Sequence, residues 1–507
     1  MTTYLLAIDI GTSSAKALLY EAAGGTVLAT ASQEYPLHRP APDRAEQDPL
    51  DWWQATVTIV RQIVGQTGIT NIAGIGLTGQ MHGTVLLDST HQPLHPAIIW
   101  ADQRGAASSQ AIIARIGKAA YTAVTGTLPA AGFMISTLVW LAGHQPDLLD
   151  RAAHVILPKD YVRLRLTGEI ATDISDAAST GAFDVSRRAW AVDILRTLDL
   201  PTNIFPPVVD STAVTGALTP AAAAELDLPP GIPVVAGCAD QPAQAVANGI
   251  IMPGIASVTT GSGGQVFIPL ALPHDSPLPV DDRVHVFNHA TPGMGYILGA
   301  ILSAGLALRW LRGITGLAGN PDAYAILSGE AAAVPPGASG LLFLPYLTGE
   351  RTPHMDPAAR GAFVGLSDYH QRGHLARAVM EGVTFALRQA LEISQALGEP
   401  VERVIVAGGG AESATWRQIQ ADIFNLPLQK SLMQEQTSTG AAMLAGVGVG
   451  VYASVGQACA DRVRYGDTTA PHPANRARYD ELYEQYLTLY PHLQANLHRL
   501  TAISLDD

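Results

Sequence analysis

Asp9 ends an apolar run at residues 5–8, and Gly11, Thr12, Ser13 and Ser14 follow before the chain turns apolar again. A strand that only had to pack would not break this way. Glycine and small hydroxyl residues present backbone N–H groups without bulk, a nest suited to phosphate oxygens. An acid at the strand end suits a magnesium ion or its waters beside those phosphates. A polar hairpin with Asp9 as an ordinary turn residue is the plainer alternative. Thr260, Gly261, Ser262 and Gly263 repeat the theme half a chain later, and Gly408, Gly409 and Gly410 form a third small-residue loop. Three glycines between a strand and a helix let backbone approach a flat ring or a phosphate at the helix's positive end.

Two further stretches could act on a hydroxyl. Met81 and His82 stand between glycines in Gly-Gln-Met-His-Gly, residues 79–83. An imidazole there can donate to or accept from a substrate hydroxyl, or can be a satisfied turn histidine. Asp240 and Gln241 follow the apolar run at residues 232–238. Asp240 could take a proton from an alcohol, or could cap the following helix with Pro242 in its first turn. Residues 74–79 match GxGxxG, but a dinucleotide site needs a helix directly after the glycines, and here a loop and a strand follow. The chain contains no GxxxxGK[ST] and no H-R-D, which excludes P-loop and protein-kinase chemistry.

The elements that must position these residues are legible in part. Residues 4–20 read as two strands about a tight turn, with a third at 26–34. Asp48 and Pro49 start a helix as N-cap and first helical residue. Residues 72–79 and 83–88 read as strands. Residues 375–397 form a long helix stopped by Gly398 and Pro400. Ala- and Pro-rich stretches at 217–233 and 331–340 read as connections, and the charge cluster at 42–51 as a solvated loop and helix start. The two Gly-rich hairpins hint at two related halves.

The 507 residues are 48% hydrophobic and 15% charged, enough for two or three packed domains. The formal charge of −14 argues against wrapping nucleic acid or lying on anionic lipid. No apolar run has the length of a membrane span, and no basic segment leads into a signal region. Cys238 and Cys459 cannot build a zinc site alone. A reducing cytoplasm is the expected location.

Taken together, the stretches resemble the FGGY family of carbohydrate kinases, in the superfamily of sugar kinases, heat-shock protein 70 and actin. The resemblance runs through "AIDIGTSSAKALL" (7–19), "EQDPLDWW" (46–53), "AIIWADQRGA" (97–106) and "PKDYVRLRLTGEIATDISDAASTGAFDV" (158–185). It continues in "LLFLPYLTGERTPHMDPAARGAFVGL" (341–366), "HLARAVMEGVTFALR" (374–388), "VAGGGAESATWRQIQADI" (406–423) and "YDELYEQYLTLYPHL" (479–493). It implies an α/β fold of two RNase H-like domains facing a central cleft, a sugar-binding one at 1–249 and an ATP-binding one at 250–507. It implies a small-molecule sugar and MgATP as ligands, with no nucleic acid or membrane partner, and a homodimer.

Residue by residue, the resemblance makes Asp240 the catalytic base and Asp9 the catalytic magnesium anchor. Gly11, Thr12, Ser13, Thr260 and Gly261 become phosphate contacts, and Gly408, Gly409 and Gly410 the adenosine side. The Gly-Gln-Met-His-Gly stretch is similar to the xylulokinase subgroup, where the equivalents of Met81 and His82 lie against the ketose. That implies phosphorylation of D-xylulose to xylulose 5-phosphate. Two departures stand out: Gln241 replaces a common Asn beside the base, and Thr137 replaces a usual Lys. Gln241 leaves ribulose, gluconate or glycerol open as the acceptor. An ATPase of the actin or chaperone type would share the fold without a sugar.

Overall fold

The computed structural model describes residues 2–505, so residue 1 and residues 506–507 of the two expected domains lie outside it. The first sheet begins with β1 (Tyr4–Ile10), β2 (Ser14–Glu21) and β3 (Thr26–Glu34), an antiparallel meander. Period-two alternation decides which side of β1 meets what. Leu6, Ile8 and Ile10 join the apolar cluster of helix α1 (Pro49–Thr67), with Trp52 and Trp53 fully buried in it. Truncating either Trp to Ala would cost about 3–5 kcal/mol. The α1 start is as the sequence suggests: the Asp48 side chain accepts from Leu50 N at 2.9 Å, and Pro49 opens the first turn.

Strand β4 (Ile72–Gly79) runs parallel to β1. β5 (Val214–Ala217) and β6 (Pro233–Val235) complete the main path, with order β5-β6-β4-β1-β2-β3. The stretch at 217–233 is therefore not a bare connection. It is bounded by two sheet strands and holds a helix, Pro220–Leu226, capped by Thr219. Its Ala and Pro content hid short elements whose packing is tertiary. Beyond β6, Cys238 and Ala239 pair in parallel with Thr78 and Gly79, and α2 (Asp240–Ala247) leaves from that point.

The second sheet repeats the plan. β7 (Ile255–Thr260), β8 (Gly264–Ala271) and β9 (Met294–Ile301) form its meander. Helix α3 (Arg372–Leu397) precedes β10 (Arg403–Ala407), which lies parallel to β7. Helix α4 (Ala414–Phe424) leads to β11 (Leu428–Ser431), parallel to β10. After α5 (Gln436–Gly448), β12 (Tyr465–Thr469) adds an antiparallel edge to β11. Position for position, β9-β8-β7-β10-β11-β12 matches β3-β2-β1-β4-β6-β5 in order and in strand direction. The stretch at 331–340 holds the end of a helix, Ala323–Ala332, and a short turn of 3-10 helix.

Helix α5 crosses back to the first sheet. Its residues 441–445 pack on Leu5, Ala7 and Leu18, the face of the meander opposite α1. Gly76 makes that approach possible, since a Cβ there would lie 2.1 Å from the Ala441 carbonyl oxygen. The final helix α6 (Arg476–Leu505) lays Tyr479, Tyr483, Tyr486 and Tyr490 into the core that also holds Phe385 of α3. Its tyrosines thus belong to the second half. Among the described residues no helix is long and apolar enough to cross a membrane.

Candidate functional site

Parallel neighbours aim their carboxyl ends the same way, so β1, β4 and the 238–239 pairing deliver Asp9, Met81, His82 and Asp240 to one edge of the first sheet. Thr12, Met81, His82, Asp240 and Gln241 line one cavity of about 580 Å³. The second half closes it with Gln265, His285 and Arg351. None of these three was singled out from sequence, because nothing local marks a histidine on a strand as facing a ligand. "TGERTPH" held a clue to Arg351 only through its resemblance to the family.

Asp240 is not the helix cap that its sequence position also allowed. Ala239 occupies the N-cap, Asp240 is the first helical residue, and no side chain caps the helix. Its Oδ1 is buried without a hydrogen-bond partner. Burial and the nearby charge of Asp9 push the carboxyl up to about 7. Burial likewise lifts Asp9 to about 6, against the pull of Lys16. Two acids at one strand edge, both held above the usual carboxylate range, are suited to a cation and an anionic ligand beside them. Among the described residues no group of three or more His, Cys, Asp or Glu side chains forms a metal cage.

His82 takes φ +72°, a backbone region rarely used by histidine. Its ring stacks on Phe133 at 4.1 Å, and Nδ1 lies 2.6 Å from the Ser179 carbonyl oxygen. Nδ1 therefore carries the hydrogen, which leaves Nε2 as an acceptor. Burial lowers its pKa to about 4, so the ring is neutral. His285 is built alike. Its Nδ1 lies 2.7 Å from Thr127 Oγ1, a hydroxyl that donates to Leu128 O, and burial lowers its pKa to about 3. Two neutral imidazoles facing one cavity can read hydroxyl groups without bringing charge.

The turn after β1 lies beside this cavity. Gly11 N donates to Ser14 O at 3.1 Å, and Trp100 Nε1 donates to Thr12 Oγ1 at 2.9 Å. Gln47 Nε2 donates to Thr12 O at 2.7 Å and Gln80 Nε2 to Gln47 Oε1 at 2.8 Å. Gly11 and Ser13 line neither cavity. Tyr35 holds them from behind through Gly11 O and Ser13 O. The charge cluster at 42–51 proves to be partly structural. Glu46 and Gln47 are buried, and Glu46 shares Arg104 with Asp102, which also accepts from Ala45 N at 2.7 Å. The reading as a solvated loop fails because Asp102 and Arg104 lie more than fifty residues away in sequence. Removing Arg104 would strand two buried acids at a cost of about 3–5 kcal/mol.

A second cavity, of about 780 Å³, lies on the other sheet. Thr260, Gly261, Ser262, Gly409 and Gly410 form one wall. Gly408, at φ +79°, sits behind them, and a Cβ there would lie 2.7 Å from Thr260 O. Arg309, Arg312, Tyr324, Ser328 and Ser413 also line it. Arg309 Nη2 donates to Ser262 Oγ at 2.6 Å, which puts a cation on the turn. Gln420 Nε2 donates to Thr260 Oγ1 at 3.1 Å. Glycines, hydroxyls, arginines and a tyrosine ring suit a nucleotide's phosphates and base. Thr137 is buried in the helix Met134–His144, and nothing in the structure explains its departure from Lys.

Known proteins resemble this chain over most of its length. The model of the FGGY family of carbohydrate kinases, N-terminal domain, matches residues 4–247, and that of the C-terminal domain matches residues 256–449. A xylulose kinase of Bacillus subtilis is 36% identical over 491 residues, 96% of this chain and 97% of that protein. One from Escherichia coli is 38% identical over 418 residues, 82% of this chain and 84% of that protein. The crystal structure of a xylulose kinase from Rhodospirillum rubrum superposes with a TM-score of 0.90 at 32% identity, covering 98% of this chain and 100% of that one.

Proposed function

The chain belongs to the FGGY family of carbohydrate kinases, so it takes ATP and a sugar, and from that premise we propose that it converts D-xylulose to xylulose 5-phosphate. The observation that carries this reading is the shared cavity of Asp240, Met81 and His82, with the nucleotide-like cavity on the other sheet. The names of its relatives point to the same sugar.

In this reading residues 1–249 serve mainly the sugar and residues 250–507 mainly the nucleotide. The terminal hydroxyl O5 attacks the γ-phosphorus in line. The O5–P bond forms, the bond to the β-phosphate's bridging oxygen breaks, and ADP leaves. Asp240 accepts the hydroxyl proton. A carboxyl near 7 is matched to that task at neutral pH and contributes about 10²–10⁴-fold. His82 and His285 accept hydrogen bonds from sugar hydroxyls through Nε2, and Gln241 sets which hydroxyls reach them. Thr12, Thr260, Gly261 and Arg309 cradle the phosphates, which places the reactants and offsets charge.

Asp9 is the residue that would hold magnesium, with Asp240 near by. One carboxylate plus phosphate oxygens and water are what this ion takes in such sites. Bound there, it would neutralise charge on the transferring phosphoryl group.

Coupled ADP detection with D-xylulose, D-ribulose, gluconate and glycerol tests the assignment. D-Xylulose should give the highest kcat/KM; a tenfold preference for another acceptor would overturn it. Sedimentation of the purified chain tests the homodimer that the resemblance implies.

A further inference from the structure

The short helix Ile174–Ala178 is buried at every residue and lines neither cavity, yet its two ends reach the two groups on which the proposed reaction depends. At its start, the Asp173 carboxylate accepts from Ser175 N at 2.9 Å, Ser175 Oγ at 2.6 Å and Ser211 Oγ at 2.7 Å. Because Ser175 spends its proton on Asp173, its oxygen is free to accept. It accepts from Ala239 N at 3.1 Å, the N–H of the residue directly before Asp240. At its other end, Ser179 O takes the Nδ1 hydrogen of His82. The same residue's hydroxyl is tied back to Asp176 O at 2.7 Å.

A buried cation holds this segment. Lys159 Nζ lies 2.7 Å from Asp160, 3.0 Å from Asp173 and 3.4 Å from Asp176, all completely shielded from solvent. A packed core supplies no water to separate three acids, so the ammonium group fixes where Asp173 and Asp176 stand. Asp240 itself has no cap bond on its helix. Its placement depends on the 238–239 strand pairing and on the Ser175 contact.

We propose that Ser175, oriented by Asp173 and Lys159, is a positioning residue for phosphoryl transfer, and that the segment 173–179 sets Asp240 and His82 against each other as one rigid unit. The inference rests on the reading of Asp240 as the base. Small displacements at such a site are costly, with about 10²-fold lost for a shift near 1 Å. Ser175 touches neither substrate, so its loss should act on turnover and not on binding.

The experiment compares wild type, Asp240→Asn, Ser175→Ala and Lys159→Met on the sugar that gives the highest turnover, with thermal midpoints and ADP affinity measured alongside. Ser175→Ala is expected to lower kcat about tenfold to hundredfold, with sugar KM, ADP affinity and midpoint near wild type. Lys159→Met disturbs both ends of the segment and should lower kcat and raise sugar KM together. If it does not fold, Ser175→Ala decides. A folded Ser175→Ala with kcat within threefold of wild type overturns the inference. So does a parallel loss of kcat, KM and midpoint, which would make the residue merely structural. If Asp240→Asn keeps wild-type turnover, the reading of the base fails instead. If Asp240→Asn collapses while Ser175→Ala is silent, only the positioning role fails.

Discussion

The two meander hairpins are copies in architecture but differ in charge. Each turns through three small residues, Gly11, Thr12 and Ser13 in one and Gly261, Ser262 and Gly263 in the other. Each has a parallel neighbour that ends in a glycine-bearing loop. One residue before the end of the first strand stands Asp9, paired across the hairpin with Lys16. At the same place in the second hairpin stands Thr259, paired with Gln265. The neutral copy forms a glycine and hydroxyl wall suited to a bound polyanion. The charged copy lies where, in our reading, bonds change. In our reading one scaffold serves two tasks because the strand order fixes where the turns lie, while the residue type at a single register position fixes what they do.

The comparison breaks most plainly at Asp240. Asp240→Asn should lower kcat by about 10²–10⁴-fold and leave ADP affinity, measured by calorimetry, nearly intact. Similar losses in both would mean that the two cavities do not divide the labour. Asp9→Asn tests the charged hairpin itself. It should raise the magnesium concentration needed for half-maximal turnover by about tenfold or more, given one lost carboxylate ligand. An unchanged magnesium titration would assign Asp9 to the hairpin alone.

The neutral copy is tested by Gly408→Ala. A methyl group at positive φ, 2.7 Å from Thr260 O, must push the two loops apart. At about 1–3 kcal/mol for such crowding, ATP affinity should fall roughly five- to hundredfold while sugar KM holds. His82→Ala removes one neutral acceptor worth about 0.5–1.5 kcal/mol, so sugar KM should rise roughly two- to tenfold with ATP KM unchanged.

The remaining test is one of stability. Asp240 titrates near 3.9 when unfolded and near 7 when folded. Between those values the folded protein holds the extra proton, so this residue's contribution to stability falls as pH rises. His82 and His285, buried and neutral, act in the opposite sense between their lowered values and about 6.5. The clean measurement is therefore a difference: the ligand-free midpoint of Asp240→Asn, relative to wild type, should climb from pH 4 to pH 7. A constant difference would show that Asp240 is not desolvated in solution.

The primary structure alone determined the first meander, the second hairpin, the α1 cap at Asp48, the glycine turns and the candidate residues on them, because each rests on local signals: period-two alternation, turn chemistry and small-residue loops. It also carried long family stretches that named the reaction class. Folding decided what local signals cannot encode. Glu46 is buried because Arg104 meets it, and His285 and Arg351 reach the cavity of Asp240 from the far half. Asp240 leaves its helix uncapped and faces the cleft, while Ser175 holds the preceding residue, Ala239, from sixty-four residues away in sequence. Such contacts join residues far apart along the chain, and their strength comes from shared desolvation in a closed core. That desolvation exists only once both sheets have formed and α5 has crossed between them.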